Sequence, residues 1–119
     1  MNPEDFKKRT KAFAVRVMKL AAALPDGKIA DTISRQLLRC ATSVGANYRA
    51  ACRAKSDADF IAKMSIVEEE ADKSLYWMEL LIESKTMKSE RLRDLLDEAT
   101  QILAMTVASI KTVKERSRR

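Results

Sequence analysis

The chain has 119 residues and a formal net charge of +6, with 46% hydrophobic and 34% charged residues. This length suffices for one domain that buries its own core without disulfides or a structural metal. Only two glycines and two prolines are present, and this composition favours an all-α protein over β-rich or disordered classes.

The sequence gives no sign of a membrane or secretory protein. No apolar run approaches the roughly 18 residues that a bilayer span requires. The N-terminus reads MNPEDFKKRTK, which carries acidic residues and has no apolar segment of the kind found in signal peptides. We therefore predict a cytoplasmic protein that does not engage membranes.

The residue types needed for most catalysis are missing. Histidine is absent, which removes the usual general base and the commonest metal ligand. Cys40 and Cys52 lie twelve residues apart, about 18 Å along a helix, which is too far for a disulfide. We interpret them as buried reduced thiols, with intermolecular or metal chemistry as the alternative. The isolated glycines form no phosphate-binding loop. We therefore expect no enzymatic activity, catalytic residue, metal, cofactor or small-molecule substrate.

The first two helices are predicted over residues 3–24 and 28–54. Asn2 is a suitable N-cap and Pro3 fits the first helical position, because its missing N–H would be unpaired there anyway. Residues 24–27 (LPDG) predict a tight turn. In the second helix, apolar residues recur at steps of three and four from Ile29 to Ala51, as on the buried face of a helix.

The third and fourth helices are predicted over residues 57–84 and 89–116. Ser56 followed by Asp59 resembles a capping box, and we assign Ser89 as the N-cap of the fourth helix. We expect the last residues, 114–119, to fray. Because short connections make successive long helices antiparallel, the predicted fold is an all-α, up-down-up-down four-helix bundle spanning residues 1–119 as a single domain.

Polar residues lie on or beside the apolar faces of the second and third helices. A buried polar group without a partner costs about 1–3 kcal/mol, so this placement suggests an interhelical network or an interface. The residues are Gln36, Ser43, Asn47, Tyr48 and Glu70. Lys63 shares a face with Asp59 and Glu70, and we interpret it as half of a structural lysine–carboxylate pair.

Charge is segregated along the chain. Residues 1–25 and 26–55 each carry six basic and two acidic groups, residues 56–84 carry two and eight, and residues 85–119 carry nine and five. The acidic third helix could pair with basic helices, within the chain or across subunits. Alternatively, uncovered basic surface could bind nucleic acid, because it attracts phosphate regardless of base sequence. The candidates for that role are Lys7, Lys8, Arg9, Lys11, Arg35, Arg39, Arg49 and Arg53. No helix-turn-helix, zinc-finger, RRM or KH signature accompanies them.

An ordered set of motifs between Arg35 and Trp77 resembles a known family. The set consists of Gln36-Leu37-Leu38-Arg39, residues 43–49 (SVGANYR), residues 56–60 (SDADF), Lys63, Glu70-Ala71 and Tyr76-Trp77. It is similar to the S23 family of four-helix-bundle proteins encoded by intervening sequences of bacterial 23S rRNA genes. Cys40, Cys52 and Lys73 depart from the pattern, and Lys73 stands where an acidic residue is common.

The resemblance implies a homo-oligomer, since cyclic homopentamers are known for the family. The chain also looks distantly like the accessory variability proteins of diversity-generating retroelements, which work with a reverse transcriptase and its template RNA. We therefore predict an RNA- or nucleoprotein-associated accessory factor whose partners are itself and RNA, DNA or a reverse-transcriptase-like protein. Tyr48, Tyr76 and Trp77 are the candidate oligomer anchors, unless these rings complete the core. The alternative is a protein-interaction module that binds no nucleic acid.

Overall fold

Four long α-helices account for nearly all of the structure. In the computed structural model, which describes residues 2–118, they are α1 (Pro3–Ala22), α2 (Lys28–Cys52), α3 (Asp57–Glu83) and α4 (Ser89–Ser117). Successive helices are antiparallel neighbours, and α1 also packs on α4. The predicted up-down-up-down four-helix bundle is thus confirmed. The molecule is a rod of 52 × 21 × 20 Å.

Side-chain caps start α1 and α3 as predicted. Asn2 Oδ1 accepts hydrogen bonds from the N–H groups of Glu4, at 2.9 Å, and Asp5. Ser56 Oγ accepts one from the Asp59 N–H at 3.0 Å. The Asp59 carboxylate accepts the Lys55 N–H at 3.1 Å, one residue before the position that a capping-box glutamate would reach.

Several helix ends differ from the predictions. α1 and α2 end two residues early, at Ala22 and Cys52. Ser89 is the first residue of α4 and Lys88 is its N-cap. Within the described residues α4 continues to Ser117, so the segment expected to fray is helical over residues 114–117. There Arg116 and Ser117 bond the two carboxylate oxygens of Asp57, at 2.9 and 2.8 Å.

The core runs the length of the bundle and receives residues from every helix. Its largest fully buried side chains are Phe6, Phe13, Leu37, Tyr48, Met64, Met78, Leu81, Leu92 and Ile102. Phe6 and Tyr48 meet edge to face, with ring centroids 4.6 Å apart, an arrangement that aromatic pairs favour. Ile29 was expected on the buried face but is exposed, and the adjacent Ala30 is the buried residue at the start of α2.

The helices α1 and α2 approach closely where Thr10 faces Gly45. A Cβ atom added at Gly45 would lie 3.2 Å from Thr10 Oγ1 and 3.5 Å from the Thr10 carbonyl carbon. Thr10 is fully buried, and its hydroxyl donates back to the Phe6 carbonyl oxygen at 3.0 Å. Gly45 therefore allows α1 and α2 to lie close together. Gly27 has a different role, because it adopts a φ of 142° in the turn before α2, which suits a residue without a side chain.

Candidate nucleic-acid interface

Five of the sequence-predicted cations line one groove between α1 and α2. Lys7, Lys8 and Lys11 come from α1, and Arg49 and Arg53 from the end of α2. The groove has a volume of about 500 Å³. We call these five residues the basic groove. Its position follows from the Thr10–Gly45 approach, which brings the N-terminal turns of α1 beside the C-terminal turns of α2.

Small residues form the floor of the basic groove, so its cations are the dominant groups. Ala14, Thr42, Gly45 and Ala46 lie between the charged side chains. Glu4 is the one acidic residue of the lining and pairs with Lys7 at 3.1 Å. A polyanion in this groove would meet a strong positive field without bulky side chains in the way.

The arginines of α2 continue the positive surface along one face. Arg35, Arg39, Thr42, Ala46, Arg49 and Arg53 follow one another at steps of four and three, and all six are exposed. At about 100° per residue this spacing places them in one row along the helix. We call this row the basic stripe. Its four arginines form no ion pair within residues 2–118, although Arg39 donates to the Gln36 amide oxygen at 3.0 Å.

Arg9 does not join the other candidates. Its guanidinium donates to both carboxylate oxygens of Glu98 on α4, at 2.8 Å each, and to Gln101. The hydrogen bond from Arg9 and the desolvation that opposes it leave the pKa of Glu98 below its usual range. Glu98 was not recognised in the sequence, because nothing local links residues 89 positions apart. The charge of Arg9 is thus neutralised by Glu98 where α1 packs on α4.

The polar residues predicted to form an interhelical network bond mainly within their own helices. Asn47 Nδ2 donates to the Ser43 carbonyl oxygen at 2.8 Å, one turn back on α2. Glu70 lies 3.7 Å from Lys73 on α3. Burial first and the charge of Glu70 second raise the pKa of the Cys40 thiol. No side-chain hydrogen bond joins these polar residues to another helix within residues 2–118.

Lys63 is half of a structural ion pair, as interpreted from the sequence. Its ammonium group contacts both oxygens of Asp59, at 2.6 and 2.7 Å. The bond from Lys63 is the main reason that the pKa of Asp59 falls below its usual range. Both residues lie on the first turns of α3, so the pair strengthens the start of that helix.

The three aromatic anchor candidates have different environments. Tyr48 is buried, and burial together with the neighbouring Cys52 raises its pKa. Trp77 is half-buried against the core. Tyr76 is 55% exposed and meets Trp77 edge to face, with ring centroids 5.1 Å apart. Tyr48 thus belongs to the core, and Tyr76 is the ring available to a partner.

The cysteines also differ from each other. Cys40 is buried as predicted, whereas Cys52 is exposed at the end of α2, which corrects the prediction for that residue. Both are free thiols. Within residues 2–118, no group of three or more potential ligands is arranged to hold a metal ion, and no helix is long and apolar enough to cross a membrane.

The family model of the 23S rRNA-intervening sequence protein matches residues 4–108, which include α2 and α3, most of α1 and α4, and both basic surfaces. The chain belongs to this family. The family assignment agrees with the resemblance found between Arg35 and Trp77 and extends it over most of the molecule.

A solved structure supports membership of the 23S rRNA-intervening sequence protein family. It is the 1.70 Å crystal structure of a protein of unknown function from the S23 ribosomal protein family of Bacteroides thetaiotaomicron. The two chains are 35% identical and superpose with a TM-score of 0.82, over 93% of this chain and 99% of the other. No curated protein matches the chain. The comparisons thus show the family and the fold of this chain.

Proposed function

We propose that the protein is a non-enzymatic, RNA-associated accessory factor that works in the cytoplasm and binds nucleic-acid backbone along α1 and α2. The observation that carries the proposal is the convergence of five cations on the basic groove, with Glu4 as the only opposing charge in its lining. Phosphate is the polyanion that such a surface binds without regard to base sequence.

The basic stripe supports the proposal by its length. Arg35 and Arg53 are 18 residues apart, about 27 Å at 1.5 Å per residue. A surface of that length can contact several successive phosphates, and each contact releases condensed counterions. Binding through these contacts is expected to be sequence-tolerant and strongly dependent on salt.

The test is the salt dependence of binding to a labelled RNA of about 20 nucleotides, as duplex and as single strand. We expect measurable binding near 50 mM salt and a steep fall by about 200 mM. The double variant R49Q/R53Q should lower the slope of log affinity against log salt by about 2, since each lost phosphate contact lowers it by about 1.

The matched control is R91Q/R93Q, which removes two exposed arginines at the start of α4 and changes the net charge equally. Its slope should equal that of the wild type. The proposal fails if the folded wild-type protein binds neither RNA at low salt, or if both variants lower the slope alike.

The second candidate function is a protein-interaction module that binds no nucleic acid, and the exposure of Tyr76 favours it. Large amphipathic rings supply much of the energy of protein interfaces, and Tyr76 is more than half exposed on α3. A homo-oligomer is compatible with either function. A light-scattering mass well above 13.4 kDa with no RNA binding at low salt would favour this second candidate.

A further inference from the structure

The outer face of α3 carries a row of acidic residues that matches the basic stripe of α2 in spacing. Glu69, Asp72, Tyr76, Glu79 and Glu83 follow one another at steps of three and four, and all five are exposed. We call this row the acidic stripe. None of its four carboxylates forms an ion pair within residues 2–118.

Both stripes place like charges next to each other on the same helix. Arg35 and Arg39, and Arg49 and Arg53, are four residues apart, as are Glu79 and Glu83. Like charges at this spacing destabilise a helix by a few tenths of a kcal/mol per pair. The lysines of α3 do not relieve the acidic stripe, because Lys63 and Lys73 pair with Asp59 and Glu70. An external group of opposite charge would relieve both stripes.

The two stripes match approximately in length as well as being opposite in charge. The acidic stripe spans 14 residues, about 21 Å, and the basic stripe 18 residues, about 27 Å. When their midpoints coincide, the ends differ by about 3 Å, which an arginine side chain can bridge. Tyr76 lies at the midpoint of the acidic stripe, and the small residues Thr42 and Ala46 flank the midpoint of the basic stripe.

We propose that the acidic stripe of one copy docks on the basic stripe of a second copy, with Tyr76 seated over Thr42 and Ala46, so that self-association and nucleic-acid binding compete for the same arginines. The contact joins two different surfaces, so it is heterologous and repeats from copy to copy. The competition rests on the proposed function, whereas the docking itself does not.

Charge-reversal variants test the docking. R49E/R53E places two glutamates in the basic stripe, and E79K/E83K places two lysines in the acidic stripe. By light scattering near 50 mM salt, we expect the wild type to exceed 13.4 kDa and each variant alone to approach it. An equimolar mixture of the two should regain a larger mass, because each supplies the surface that the other lacks. Circular dichroism establishes that each variant is helical.

The matched control is D94K/D97K, which makes the same change in net charge as E79K/E83K at exposed residues of α4. It should keep the wild-type mass. A wild type that stays near 13.4 kDa throughout, variants that keep its mass, or a mixture of variants that stays monomeric would each overturn the docking.

RNA binding by the same variants tests the competition. At protein concentrations where the wild type associates, E79K/E83K should bind the RNA duplex several-fold more tightly than D94K/D97K, because its basic stripe is uncovered. Equal affinities would overturn the competition. If none of the proteins binds RNA but the mixture of variants associates, the proposed function fails and the docking stands.

Discussion

The guanidinium of Arg9 and the carboxylate of Glu98 form a two-point contact across the outer edges of α1 and α4, with both N···O distances at 2.8 Å. α1 packs less extensively on α4 than on α2, so this contact is a principal link along that seam. Bidentate pairs fix orientation as well as charge. An anion-binding role for Arg9 would require this link to be broken.

We expect Arg9→Lys to destabilise the protein by about 1–2 kcal/mol, because an ammonium group cannot reproduce the two parallel hydrogen bonds. The measurement is the free energy of unfolding in urea at neutral pH. Lys8→Arg, at an exposed position one residue earlier, is the control and should change stability little. If Arg9→Lys left the free energy of unfolding unchanged, the Arg9–Glu98 contact would not contribute to the stability of the fold.

The same contact predicts a pH dependence. The pKa of Glu98 in the folded protein is lower than its usual value, so the contact stabilises the fold above the unfolded-state pKa, about 4.3. The contribution is lost as the pH falls through the folded-state pKa. In urea titrations between about pH 6 and pH 3, the free energy of unfolding should therefore fall less steeply with pH in Glu98→Gln than in the wild type. Parallel profiles would contradict this assignment.

The Thr10–Gly45 approach predicts non-additive substitutions. Gly45→Ala should gain up to about 1 kcal/mol from helix propensity, but its Cβ would press on the buried Thr10 hydroxyl at 3.2 Å. We expect little net change or a loss in the wild-type background. In a Thr10→Ala background the close oxygen is absent, so Gly45→Ala should be more favourable there. A double-mutant cycle in urea measures the difference, and strict additivity would contradict the steric account.

The sequence predicts the local features of this fold well because their causes are local. Asn2, Pro3 and Ser56 act within a few residues of themselves, and the predicted starts of α1 and α3 are confirmed. Asn47 was assigned to an interhelical network or an interface because it lies on or beside the apolar face of the second helix, but its amide group donates to a carbonyl oxygen one turn away on α2. The sequence pattern cannot distinguish these two ways of satisfying a polar group.

The surface was predicted only in part, because the residues that decide it are far apart in the chain. Lys7 and Arg53 meet in one groove through the antiparallel pairing of α1 and α2, which the predicted bundle implies. Arg9 was grouped with Lys7 and Lys8 by sequence proximity, but it lies toward α4, where Glu98 neutralises it. The sequence shows only that the third helix is acidic overall. The structure shows that the residues of the acidic stripe are exposed and aligned along one face of α3.

The contact of Arg116 and Ser117 with Asp57 predicts an ordered end of α4. Removing the guanidinium with Arg116→Ala should speed amide hydrogen exchange in residues 112–117, because the last turn then loses a partner on α3. Lys114→Ala, which removes an exposed side chain without an ion pair among residues 2–118, is the control. Equal exchange rates in the two variants would show that the contact does not hold the helix end.

The two cysteines should differ in their reaction with iodoacetamide. Cys52 is exposed, whereas Cys40 is buried and burial raises its pKa, so less of it is in the reactive thiolate form. At about pH 8 the native protein should take up one label, located at Cys52 by peptide mass analysis, and a second label only in denaturant. Rapid double labelling of the folded protein would contradict the position of Cys40.

The rows of like charge on α2 and α3 also affect how an isolated subunit responds to its solvent. Neighbouring charges of the same sign repel each other within each helix, and dissolved ions weaken that repulsion over distances of about 10 Å at 0.1 M. Added salt would therefore favour the folded single subunit while weakening its hold on any charged partner. A single subunit would then resist unfolding best under the conditions in which its contacts with charged partners are weakest.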